Sequence, residues 1–151
     1  SNTLDKARVL AVLEETNETE KILKYVLEKY SCSREAIGNV YEVFSWLEEL
    51  NYHEEDKISQ KSLDRRMDYI NKGLKVYPDR IQLWINAFET ACLKNYTSQA
   101  ISYLNRMEKI DNKIARQYVS NSPIKEEISK SDISLRKEII RLNPNVKIEL
   151  V

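Results

Sequence analysis

The segment Tyr77-Pro78-Asp79-Arg80 constrains this chain more than any other, because it is a sharp joint between two apolar stretches of helical period. Before it, Ile58, Leu63, Met67, Ile70, Leu74 and Tyr77 recur at helical spacing; after it, residues 81–91 read Ile-Gln-Leu-Trp-Ile-Asn-Ala-Phe-Glu-Thr-Ala. Proline lacks an N–H and crowds the preceding turn, so the first helix must end at Val76-Tyr77. A second helix starts within about three residues, and two helices joined so tightly form a hairpin.

Only two glycines and three prolines stand among the 151 residues. A β or α/β fold needs glycine at its many turns, whereas long helices need almost none, so the chain is all-α. A single domain of this length, residues 1–151, buries about two-thirds of its unfolded surface.

The remaining helices follow from the same periodicity. Residues 3–14 place Leu4, Ala7, Leu10, Ala11 and Leu13 on one face. Asn17 with Glu20 has the form of a capping box, opening a helix that stops near Tyr30. A long helix from Ser33 to about Leu50 follows, with Asn51-Tyr52-His53 as its turn and Glu54, Glu55 and Asp56 in the first turn of the next helix, where the macrodipole favours acids. Beyond Pro78 the helices are residues 80–94, one after Asn95-Tyr96-Thr97 carrying Ala100, Leu104 and Met107, and one with Ile114, Ala115, Tyr118 and Val119. Ser122-Pro123 opens a last segment, interrupted at Ser131-Asp132 and finished by Asn143-Pro144. Val146, Ile148 and Leu150 alternate as in an extended tail, either pairing locally or fraying.

Charge is uneven although it sums to zero: residues 1–56 hold 6 Lys/Arg against 13 Asp/Glu, and residues 57–151 hold 18 against 11. Such runs are ordinarily solvated helix faces, and they also steer partners. Two cysteines without close spacing and the lack of a leader or a long apolar run suit a reduced, intracellular protein, cytoplasmic or nuclear, with no membrane contact. The start at Ser1-Asn2 suits a piece of a longer protein.

Shifting the chain on itself by 47 places brings Tyr30 onto Tyr77, Ile37 onto Trp84, Asn39 onto Asn86, Tyr41 onto Phe88 and Glu42 onto Glu89. Leu23 falls on Ile70 and Leu27 on Leu74. Self-similarity at such a period marks a helical array whose hairpins bury their faces on each other.

Counting from Ile81 as first position, Trp84, Ala100 and Leu104 occupy the fourth, twentieth and twenty-fourth places and Asn112 the thirty-second, while Pro78 takes that last place for the preceding unit. The pattern resembles the tetratricopeptide repeat over residues 17–112. Phe88 stands where that family prefers a small residue, and 47 residues exceed its usual period of about 34. Trp84, Phe88 and Glu89 are similar to the related half-a-tetratricopeptide repeats of RNA-processing proteins, with the glutamate two places early. The resemblance implies a right-handed stack of antiparallel helix pairs, about seven helices with a short extended C-terminal tail. Its expected role is a non-catalytic scaffold or adaptor that binds a protein, a peptide or a partner helix in its groove. The alternatives are a scaffold subunit of an RNA-processing complex and a non-catalytic arm of a larger enzyme.

Asn39 and Asn86 are the leading site candidates. An amide both donates and accepts, so it can hold an extended peptide backbone of any sequence, as such asparagines do in proteins that resemble this one. Equally, each could satisfy a neighbouring turn inside the array. Glu42 and Glu89 recur as well and read as exposed helix glutamates. Lys57, Lys61 and Arg65 fall four apart as a basic stripe, flanked by Arg66, Lys72 and Lys75 and interleaved with Asp64 and Asp68, which makes an acidic protein partner a better match than nucleic acid. His53-Glu54-Glu55-Asp56 lacks a known metal spacing. No catalytic residue, metal or cofactor is expected. Trp46, Trp84, Tyr41, Phe44, Phe88 and Cys92 read as core.

Overall fold

A computed structural model describes residues 16–29, 33–55 and 60–150, so the expected helix over 3–14 lies outside the described residues. The described residues form eight helices and no strand. They are α1 (Thr16–Lys29), α2 (Arg34–Glu55), α3 (Gln60–Val76), α4 (Ile81–Leu93), α5 (Thr97–Ile110), α6 (Asn112–Asn121), α7 (Lys125–Ser129) and α8 (Ile133–Leu142). The all-α class stands. The chain divides into two compact units, one through Leu83 and the other from Trp84.

In the first unit α1 packs on α2 and α2 along α3. Leu23, Val26, Val40, Val43 and Phe44 are buried together, with Ile22, Leu27, Tyr41 and Tyr69 half-buried against them. Phe44 and Tyr69 stack with ring centroids 4.8 Å apart. Arg34, at the start of α2, donates through Nε to the carbonyl of Val76 at the end of α3 over 3.0 Å, so α2 and α3 run antiparallel. That bond satisfies one of the four carbonyls a helix leaves open at its C-terminus. Glycine is required at position 73: a Cβ there would lie 2.8 Å from Leu83 Cδ1 and 3.1 Å from Tyr41 Cβ.

The expected turn at Asn51-Tyr52-His53 is not one. α2 continues to Glu55, and Glu54 and Glu55 close it instead of opening the next helix. Three polar residues without glycine or proline supply no breaker, so the helix runs on through them.

In the second unit Ala100, Leu104 and Met107 of α5, Ala115 and Val119 of α6, Ile128 of α7 and Leu135, Ile139 and Leu142 of α8 are buried. α5 packs on α6 and on α8. Asn95, with φ at 59°, makes the left-handed turn before α5, a conformation that asparagine tolerates. Asp111 caps α6 through Ile114 N at 3.1 Å, and Asp132 caps α8 through Ser134 N at 2.9 Å. Asn143 then ties the end of α8 to α6: its Nδ2 donates to Arg116 O at 3.0 Å and Ser120 Oγ at 2.7 Å. Residues 147–150 belong to neither helix nor strand, and Arg136 Nη1 holds them by donating to Glu149 O over 2.6 Å.

The 47-residue shift recurs in burial. Leu23 and Ile70 are both fully buried, as are Val40 and Ala87, and Leu27 and Leu74 are both half-buried. Three and four positions beyond Val40 and Ala87 in the same helices, Val43 and Thr90, then Phe44 and Ala91, are buried in register.

Candidate interaction surface

The two asparagines occupy the same register on α2 and α4, yet their surroundings differ. Asn39 is half-buried. Asn86 is only 7% exposed, and its main-chain carbonyl accepts from Thr90 Oγ at 2.7 Å. Asn39 therefore offers the more accessible amide.

The recurring glutamates, expected to be exposed, are the opposite. Glu42 Oε2 accepts from Arg80 Nε at 2.6 Å and pairs with Arg80 Nη2 at 2.6 Å, both side chains mostly covered. The guanidinium groups of Arg34 and Arg80 lie 5.2 and 5.8 Å from the centroid of the Tyr77 ring. The joint at Pro78 is thus held by two arginines, one aromatic ring and one carboxylate, all within the first unit. Glu89 is 6% exposed, and its Oε1 accepts from Tyr118 Oη at 2.5 Å within the second unit. A buried carboxylate needs such a donor, because without one its desolvation is uncompensated.

Burial, and secondarily the Glu89 charge, push the Tyr118 phenol well above its ordinary pKa, which keeps the hydroxyl a donor. The same two causes, with Glu127 adding to the charge, raise the buried Cys92 thiol to about 12. Cys92 is core, as its apolar neighbours suggested. The Tyr118 ring meets Phe88 edge-on at 6.0 Å.

Among the basic residues, Lys61 and Arg65 are exposed on α3, whereas Lys57 lies outside the described residues. Arg66 leaves the stripe altogether, buried at 1% exposure. Asp68 pairs with Lys72 at 2.9 Å and Asp64 Oδ1 accepts from Gln60 at 3.4 Å, so carboxylates break the stripe into short runs. Among the described residues no group of three or more His, Cys, Asp or Glu is placed to hold a metal ion, and no helix is long and apolar enough to cross a membrane.

The aromatic residues divide. Phe44 and Phe88 are buried, Tyr41 is half-buried, and the Trp46 side chain lies outside the described residues. Trp84, expected in the core, is half-buried, with Tyr103 tilted against it at 5.8 Å and the Arg106 guanidinium 5.6 Å from its ring centroid. The indole is amphipathic, and an arginine over its face lets one side remain near water. Spacing marked Trp84 as apolar-facing; the partner that holds it at the surface comes 22 residues later and carries no local signal.

Comparison with protein-family models, with curated proteins and with solved structures finds no match.

Proposed function

We propose that this chain is a non-catalytic protein-interaction module, a tetratricopeptide-like array of helical hairpins that captures a peptide or partner helix. The observation that carries this reading is the burial pattern recurring at 47 residues, from Leu23 and Ile70 through Val40 and Ala87 to Val43 and Thr90. Helical repeats with a constant buried register leave their remaining faces as extended surfaces for a partner, which is how such arrays bind. Asn39 on α2 and Asn86 on α4 are its backbone-binding residues, with Asn39 the readier contact. Lys57, Lys61 and Arg65 serve as contacts for an acidic partner.

The experiment is an affinity pulldown from cell extract, comparing wild type with Asn39→Ala and with the Asn39→Ala, Asn86→Ala double variant after circular dichroism confirms folding. A partner lost from both variants supports peptide capture through the amides. Equal retention by all three makes the asparagines structural and removes this mode of binding. Washing at raised salt separates a protein partner from nucleic acid, whose binding falls steeply as counterions compete for phosphate.

A further inference from the structure

Beside Trp84 the second unit carries an open groove of about 670 Å³ that Asn39 and Asn86 do not line. Its lining residues on α5 are Ser98, Ile101, Ser102, Asn105, Arg106 and Lys109, separated by three, one, three, one and three positions, which is one continuous face of a helix. Trp84 forms the wall.

The face is ordered along its length. Ile101 with Trp84 supplies the apolar part, Ser98, Ser102 and Asn105 supply hydrogen-bonding groups, and the two cations stand together toward the C-terminal end. No carboxylate lines the groove. Glu108, next along α5, is turned to Arg141, which donates to its Oε1 at 3.0 Å and its Oε2 at 3.2 Å, so its charge is already matched elsewhere. Arg106 is held against the Trp84 ring, which orients its planar fork of N–H groups. Positive charge beside apolar surface calls for a ligand that carries both complements.

We propose that this groove binds an acidic linear peptide bearing one apolar side chain, with carboxylates two and four residues away from it. The spacing follows from the two geometries. A helix rises about 1.5 Å per residue, which puts Arg106 about 7.5 Å and Lys109 about 12 Å beyond Ile101 along the axis. An extended chain rises about 3.3 Å per residue and turns alternate side chains to one face, so its second and fourth neighbours lie about 6.6 and 13 Å on. The serine hydroxyls and the Asn105 amide then meet the peptide backbone. A single strand of nucleic acid is the weaker match, because two cations neutralise few phosphates. The proposal rests on the reading of the chain as an interaction module but uses none of the residues that the pulldown varies.

The test is fluorescence anisotropy with fluorescein-labelled peptides and the whole chain. The probes are Leu-Ser-Asp-Ser-Glu-Ser, the same residues in reverse order, both with Asn and Gln in place of the acids, and a ten-residue oligouridine. Sub-millimolar binding of an acidic peptide in either order is expected. It should weaken about tenfold for its amide counterpart and about tenfold in Arg106→Gln, Lys109→Gln, as expected when two partly exposed ion pairs are lost. Lys130→Gln, which removes an exposed cation that does not line the groove, should bind it unchanged. Failure of both acidic peptides to bind, or equal binding of acidic and amide forms, overturns the proposal, and so does oligouridine binding tighter than either peptide. If instead the cations only complement the negative end of the α5 macrodipole, the glutamine variant loses stability in urea and binds peptide as wild type does, which also overturns it. None of these failures touches the pulldown comparison of the asparagines.

Discussion

Tyr118 on α6 donates its phenolic hydrogen to the Glu89 carboxylate on α4 across 2.5 Å, 29 residues away in sequence. Tyr118→Phe takes one donor away from a buried carboxylate, so it should cost about 1–3 kcal/mol in urea unfolding. Tyr118→Phe, Glu89→Leu removes both polar partners and should cost less than the sum of the single changes. Additive losses would show that the pair is not coupled.

The two glycines should respond oppositely to alanine. At Gly73 the new methyl meets Tyr41 Cβ at 3.1 Å, an atom fixed to its own backbone, and Leu83 Cδ1 at 2.8 Å. Overpacking of about 1–3 kcal/mol should exceed the gain of about 1 kcal/mol in helix propensity. At Gly38 the nearest atoms are Arg80 Cδ and Tyr77 Cβ at 3.4 Å, ordinary contact distance, so Gly38→Ala should be neutral or stabilising by up to about 1 kcal/mol. Urea midpoints of the two variants settle both signs.

Cys92 should resist alkylation in the native protein. With its thiol raised to about 12, it is almost wholly protonated at neutral pH, and burial denies access to the reagent. In a Cys32→Ser background, iodoacetamide should label Cys92 only at the rate at which the protein opens, and urea should accelerate labelling sharply. Fast labelling without urea would place the thiol at the surface.

Arg141 hydrogen-bonds Glu108 and holds its carboxyl below the ordinary glutamate value of 4.5. A depressed folded pKa contributes stability that is present above the unfolded value and is lost as pH falls through the folded one. Arg141→Gln should therefore cost about 0.2–1 kcal/mol at pH 7, the range for partly exposed pairs. Its difference from wild type should shrink as pH drops below about 4.5. A difference constant down to pH 3 would assign the loss to packing of the arginine stem instead.

Trp84→Ala should cost less than the truncation of a fully buried ring, which is about 3–5 kcal/mol. Half-buried beside Tyr103 and Arg106, Trp84 should lose about 1–3 kcal/mol by urea titration. A larger loss would restore it to the core.

Helix existence was legible because its causes are local. Pro78 ended α3 and the apolar spacing of residues 81–91 announced α4, while Asp132 interrupted the last segment as its capping geometry requires. The end of α2 was misread for a complementary reason: Asn51-Tyr52-His53 is polar, but polarity alone does not break a helix, and nothing there forbids the next hydrogen bond. Among the candidate site residues, Asn39 and Asn86 could be picked out because they recur. Their unequal exposure could not, since it depends on what each helix packs against.

The sequence by itself determined the all-α class, most helix boundaries and the 47-residue register, because propensity, breakers and periodicity act within a few residues of their source. Only the tertiary structure decided the roles of the recurring glutamates. Glu42 meets Arg80 across 38 residues and Glu89 meets Tyr118 across 29. A carboxylate on a helix is equally helical in water or in the core, so its local sequence is the same in both. What separates the two is a donor brought by another helix, and that donor's position exists only once the chain has folded.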